Sequence, residues 1–295
     1  MEGVAATYTR GHMHSDAADE VLERALRSAH RRDGFNDEVG MEFGATWDHI
    51  LHSQCRHPSD TTLEEDGEEC TICLYGRELA ELPQLPEMIF PRNSLEIRWT
   101  KHPNARFVFT ALDALKMVDA HTLPAVQVAP SSVWQESRAN FPEFRKFARP
   151  FDWTYTTEYA GTTEGLKAIP TEERVDLDRL RKQEPILFYA QVPLYEDELA
   201  DHGSAIYSVR VRVMPSCSFV LARFYLRVDG VLTRVCDTRV FAERGGQSLL
   251  VEWTMREATA AQIKDIPQDV QLDPNQIWQH LNILKTRSVR YEPES

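Results

Sequence analysis

The sequence predicts an α+β fold, a single domain built on mainly antiparallel β-sheet with flanking helices. Three observations predict it. Runs with alternating apolar and polar residues dominate from Glu87 onward, the period of a half-buried strand. Two such runs, Ser218 to Val228 and Val231 to Phe241, flank Asp229-Gly230, a strong short-range hairpin signal. The strand runs do not alternate with long helical runs, which disfavours a doubly wound parallel sheet.

Taken in chain order, residues 1–40 read as an extension, partly helical or disordered. Ala18, Val21, Leu22, Ala25, Leu26 and Ala29 recur at helical spacing, with acids early, arginines late and Gly34 as the expected stop. Residues 41–290 form the expected domain, interrupted by an acidic loop at 58–69. Five acids fall within six residues there, a self-repelling run expected to be solvated and dispensable for folding.

Leu95, Ile97 and Trp99 mark a strand. Lys101 to Asn104 reads as a turn and Ala105 to Phe109 as the return strand. Thr110 and Asp113 stand at N-cap and N3 of a short helix. Phe151 to Thr157 reads as core strand, and Asp176 to Lys182 as a short helix with Val175 just before it. Tyr207, Val209, Val211 and Val213 share one strand face. A two-residue turn at Asp229-Gly230 would set Val235 opposite Phe224 and Asp237 opposite Ala222, on the apolar side of the hairpin. Arg239, two residues on, is placed to pair with Asp237. Asp273-Pro274-Asn275-Gln276 opens a further helix, with proline at N1.

The chain has 295 residues and a formal net charge of -13. That charge opposes binding to nucleic-acid phosphates, where Lys and Arg supply most of the affinity. No apolar run reaches the roughly 20 residues that span a bilayer, and the N-terminus does not read as a secretory signal. The five cysteines have no framework spacing, which suits a reducing compartment. Cys70-x-x-Cys73 lacks a second ligand pair for zinc.

The segment most suggestive of chemistry is Tyr195 to Gly203. Glu196, Asp197, Glu198, Asp201 and His202 fall within seven residues. Glu198, Asp201 and His202 could serve a metal-dependent hydrolase. The simpler reading is a short helix with acids in its first turn, His202 in its last and Gly203 as a left-handed stop. No phosphate-binding glycine loop, HExxH or GxSxG motif occurs. No catalytic, metal or cofactor residues are therefore assigned, and the chain is expected not to be an enzyme.

Leu85 to Phe90, Trp134 to Arg138, Phe151 to Thr157, Tyr195 to Gly203, Val213 to Ser216 and Arg227 to Leu232 stand in an order and spacing that resemble the TIPRL family. These are TOR-signalling-pathway regulators that bind type 2A protein phosphatases. The resemblance spans roughly 43–283. It implies a non-enzymatic cytoplasmic protein, monomeric when free. Its partners would be the catalytic subunits of type 2A, type 4 and type 6 phosphatases, held for inhibition or safeguarding. It carries phosphatase contacts onto Asp113, Val175, Val235 and Asp237. At two of these the chain departs from the family pattern, with valine where isoleucine (Val175) and methionine (Val235) are usual. A general interaction adaptor is the remaining alternative.

Overall fold

The computed structural model describes residues 31–36, 40–47, 71–82, 85–118, 131–137, 139–140 and 154–294. Two antiparallel sheets share one apolar core. The smaller has the order β1-β2-β4-β5-β6, from β1 (Arg31–Asn36), β2 (Met41–Trp47), β4 (Ser94–Trp99), β5 (His102–Thr110) and β6 (Thr162–Glu164). The larger has the order β3-β8-β9-β10-β11-β12-β13-β7. Its strands are β3 (Met88–Ile89), β7 (Leu166–Pro170), β8 (Phe188–Asp197), β9 (Gly203–Val213), β10 (Cys217–Val228), β11 (Leu232–Glu243), β12 (Leu249–Thr259) and β13 (Asn282–Pro293). Both sheets are built from antiparallel pairs, as the alternating runs and the hairpin signal imply.

The core forms because each inner face carries every second residue. Phe43, Leu95, Ile97, Phe107 and Phe109 come from the smaller sheet, and Tyr195, Tyr207, Phe224, Cys236 and Trp253 from the larger. Phe107 meets Tyr291 edge-on with ring centroids 5.7 Å apart, and Phe109 meets Tyr159 at 5.9 Å. Burial pushes the Cys236 thiol up to about 12, so it behaves as a small apolar side chain.

Among the described residues, three short helices, α1 (Thr71–Glu78), α2 (Ala111–Lys116) and α3 (Ser132–Ser137), precede β6. Thr110 caps α2 as expected, its hydroxyl accepting from the Asp113 amide at 3.2 Å. The reciprocal half of a capping box is absent, because the Asp113 carboxylate accepts instead from Thr162 Oγ1 at 2.7 Å. The helices α4 (Ala260–Ile263), α5 (Gln268–Leu272) and α6 (Pro274–Ile277) lie between β12 and β13. Asp273 caps α6, accepting from the Asn275 amide at 2.7 Å, with Pro274 at N1. The Gln276 side chain donates to the same carboxylate at 2.7 Å.

The hairpin register departs from expectation, with large consequences. Val228 pairs with Leu232, so the loop is Asp229-Gly230-Val231 and has three residues. A two-residue type I′ turn needs positive φ at both positions, and only Gly230 has it, at +71°. The Asp229 amide is instead held by the His202 carbonyl at 2.9 Å. A one-residue slip moves side chains to the opposite face. Val235 therefore faces Tyr225, and Asp237 faces Arg223, on the outer side of the larger sheet rather than in the core between the sheets.

Other expectations are corrected as well. Gly34 is no helix stop; it lies in β1 opposite Gly44 of β2. The turn before β5 is shorter than expected, since His102 already pairs with Trp99. Thr154 to Thr157 are buried but make no ladder, only a bridge from Thr157 to Val118. Asp176 to Lys182 contains one 3-10 turn, Arg179–Arg181. The alanine-rich helical run, the acidic loop at 58–69 and Phe151 to Trp153 lie outside the described residues.

Candidate functional site

Three of the four expected contact residues gather on the outer face of the larger sheet. Antiparallel register aligns Arg223 of β10, Asp237 of β11 and Thr254 of β12 in one row, and Arg239 and Glu252 in the next. Arg223 grips Asp237 with two parallel bonds, Nε to Oδ1 at 2.7 Å and Nη2 to Oδ2 at 2.8 Å. Arg239 donates to Asp237 Oδ2 at 3.0 Å, the pairing the sequence suggested, and to Glu252 Oε1 at 3.1 Å. Glu252 then receives the Val175 amide and Arg174 Nε, both at 3.1 Å. One alternating row of charge thus pins a strap, residues 171–176, onto the sheet.

The row is covered. Trp278 lies among three guanidinium groups, with its ring centroid 5.8 Å from Arg223, 5.1 Å from Arg239 and 5.0 Å from Arg256. Beneath the helical segment, Val235 packs with Tyr225, Ala258, Ile263, Ile277 and Leu281. Asp237 is 2% exposed and Val235 0%, so the two sit below the surface that a partner would meet. Val175 is buried as well. Asp113 stands apart, half-buried on α2 and bonded to Thr162 of β6 in the smaller sheet.

Sequence reasoning missed Arg223, Glu252 and Trp278 as members of this site. Glu252 did carry a signal, a single acid inside the apolar run Leu249 to Trp253. Arg223 was placed on the right strand, but the assumed register put Asp237 on the opposite face.

The acidic segment is built differently from the expected helix. Glu196 and Asp197 end β8, and Leu199, Ala200 and Asp201 turn the chain through positive φ values of 50°, 54° and 67°. The Asp197 carboxylate holds this turn, accepting from Leu199 N at 2.6 Å and Glu87 N at 3.0 Å. Glu87 in turn accepts from Trp134 Nε1 at 3.1 Å, and Ser131 Oγ donates to Asp201 Oδ2 at 3.0 Å. Tyr195 OH reaches the Tyr155 carbonyl at 3.0 Å. Five of the six segments that carried the family resemblance therefore meet at one knot. Among the described residues, no three His, Cys, Asp or Glu side chains gather as a metal-ligand set.

Asp197 gives this knot a pH dependence. Burial, with the Glu87 carboxylate adding to it, lifts its pKa to about 7, against the opposing pull of the two amides. A folded-state pKa above the unfolded value means that the folded form binds the proton more tightly. That contribution is fully present below about pH 4 and is lost as pH rises through about 7. The urea midpoint is expected to fall between about pH 4 and pH 7, and Asp197→Asn should flatten the fall. A variant with the wild-type slope would mean that another group titrates.

The amino-acid sequence also matches known proteins. A model of the TIP41-like family matches residues 88–264. A Caenorhabditis elegans TIP41-like protein is 43% identical over 268 residues, covering 90% of this chain and 92% of that one. The chain belongs to the TIP41-like family. The human TIP41-like protein is 42% identical over 207 residues, 68% of this chain and 75% of its own. A Schizosaccharomyces pombe relative, 35% identical over 185 residues, covers 62% and 73% respectively and is named type 2A phosphatase activator tip41. The TIP41-like match agrees with the resemblance drawn from the motif segments.

Proposed function

We propose that this TIP41-like chain is a non-enzymatic regulator that binds the catalytic subunit of type 2A-family protein phosphatases. Its partners extend to the type 4 and type 6 enzymes, and it acts in the cytoplasm within TOR signalling, as a monomer when free. What carries this reading is family membership in a chain whose most chemistry-like segment is consumed as a turn. Asp197 is spent on two backbone amides and Asp201 on Ser131, which leaves no assembled acid–base or ligand set there. The fission yeast relative's name supports a regulatory role toward a type 2A phosphatase. Safeguarding or inhibition of unassembled catalytic subunit is our reading of the sign.

Two kinds of contact residue follow. Asp113 is half-buried and can meet a partner directly. Val175, Val235 and Asp237 act from beneath, by seating the strap and the Trp278 cover. Affinity capture from cytosol should return type 2A-family catalytic subunits as the dominant partners. Near-stoichiometric metal in the purified protein, with phosphoester turnover lost in Glu198→Ala or His202→Ala, would overturn the non-enzymatic reading.

Asp113→Asn separates contact from scaffold. As a contact, its loss weakens binding by about tenfold, roughly 1.4 kcal/mol. As a scaffold residue it supports only the Thr162 bond, and its loss lowers stability by about 1 kcal/mol without changing the affinity of folded molecules. Dissociation constant and unfolding midpoint, measured together, decide between them.

A further inference from the structure

The strap and the Trp278 cover leave part of the outer face of the larger sheet open. The open part consists of two rows on β8, β9 and β10. In one, Tyr189 pairs with Arg212 and Arg212 with Phe219; in the next, Gln191 pairs with Arg210 and Arg210 with Leu221. All six side chains point outward, because Ala190, Val211 and Val220 in the row between them take the core side. Tyr189 is 52% exposed, Gln191 and Arg212 are exposed, and Arg210, Phe219 and Leu221 are partly so.

Neither cation of this face is answered by an acid among the described residues. Arg210 donates through Nη2 to Asn275 Oδ1 at 2.7 Å, and that oxygen is neutral. The Arg212 side chain makes no hydrogen bond, ion pair or ring contact there. Acids on the flanking elements are committed elsewhere. Glu184 accepts from the Ser216 amide and hydroxyl, Glu243 accepts from Arg179, and Asp273 caps α6. On a chain of net charge -13, two arginines with no acid beside them reverse the sign locally. Arginine set among tyrosine and phenylalanine is also the composition enriched at protein interfaces.

The open face joins the candidate site on both sides. Asn275, which receives Arg210, also receives Arg223 Nη1 at 3.5 Å, and Arg223 holds Asp237. Phe219 pairs with Phe241, and the Arg179 guanidinium, just past the strap, lies 5.1 Å from the Phe241 ring centroid. A partner seated on the strap and the Trp278 cover has this face directly beside it.

We infer that Arg210, Arg212 and Tyr189 form a docking surface for an acidic surface of the phosphatase catalytic subunit. The two guanidinium groups receive its Asp or Glu side chains, and Tyr189 packs beside them. This rests on the phosphatase reading and deepens it, by naming the chemistry of the surface that the partner brings. Charge complementarity selects the occupant, since an incoming carboxylate has no resident acid to displace. A second copy in a two-fold contact would bring its own Arg210 and Arg212, like against like. A nucleic acid or an anionic bilayer would meet the acidic molecule as a whole.

The test measures binding of the full chain to purified type 2A catalytic subunit by surface plasmon resonance. Arg210→Glu/Arg212→Glu should raise Kd at least about thirtyfold, chiefly through slower association. Lys101→Glu/Lys167→Glu changes the net charge equally at two exposed cations away from this face, and should move Kd by less than about threefold. Arg210→Gln/Arg212→Gln should flatten the fall in affinity between about 50 and 500 mM salt. Tyr189→Ala should raise Kd about tenfold through faster dissociation, and keep the wild-type salt dependence. If a double variant misfolds by circular dichroism, Arg212→Glu alone decides, since that side chain is exposed and supports no contact. Equal Kd for wild type and the folded arginine variant overturns the inference and leaves the phosphatase reading standing. An equal loss in the two charge-matched variants does the same. No binding by the wild-type chain overturns both readings. A wild-type dimer that the arginine variant dissolves would assign the face to a second copy and equally overturn the inference.

Discussion

Gly203→Ala is expected to be among the most damaging single substitutions in the chain. A Cβ built at this position falls 1.9 Å from the Arg227 carbonyl oxygen and 2.9 Å from its carbon. Both are backbone atoms of the neighbouring strand, so no side chain can rotate away. Relief requires parting β9 from β10 where Gly203 faces Val228, next to the Asp229 amide bond to His202. Substitutions of this kind reach about 4 kcal/mol, which in a domain of this size lowers the melting temperature by roughly 10 °C. Thermal unfolding followed by circular dichroism measures it. A midpoint within about 2 °C of wild type, less than 1 kcal/mol, would show that the two strands can separate there freely. Gly203 was expected to matter as a helix stop. It matters as a gap that lets the β8–β9 turn lie against the β10–β11 hairpin.

The strand pattern was legible because it rests on local alternation. Tyr207, Val209, Val211 and Val213 share a buried face whatever the rest of the chain does. The capped starts at Thr110 and Asp273 were legible for the same reason, since a cap reaches only two or three residues. What failed depended on contacts far along the chain. Asp-Gly favours a two-residue turn in isolation, but His202 holds the Asp229 amide and the loop takes a third residue. Acids before a histidine and a glycine fit a helix, but Asp197 finds the Glu87 amide 110 residues away and ends a strand instead. The one-residue register error then hid the site itself. With Asp237 assigned to the apolar face, its pairing with Arg223 and the row reaching Glu252 and Val175 could not be foreseen. Asp237 and Arg239 were legible as a pair, because they lie two residues apart on one strand.

Asp237→Asn should lower stability strongly and reports on how the outer face works. Asp237 is the central anion between Arg223 and Arg239, and all three are nearly inaccessible to water. Asparagine keeps the shape but removes the charge, and its amide NH2 opposes a guanidinium donor where a carboxylate oxygen accepted. Breaking a buried ion pair from one side costs about 3–5 kcal/mol, because the remaining charge stays buried and uncompensated. Here two arginines are left with Glu252 as the one remaining acid of the row. The urea midpoint should fall accordingly, with folded protein still recoverable in the cold. Binding to the phosphatase catalytic subunit separates two roles for the residue. If Asp237 acts from beneath, its loss loosens Arg223 and Arg239 under Trp278, and Trp278→Leu should weaken binding to a similar extent without removing any charge. If Asp237 reaches the partner directly, the cover must move aside on binding, and Trp278→Leu should leave affinity unchanged or raise it. Either outcome keeps Asp237 in the interface. Normal affinity per folded molecule in Asp237→Asn, with only the midpoint lowered, would remove it and leave the charge row as a purely structural clasp for the strap.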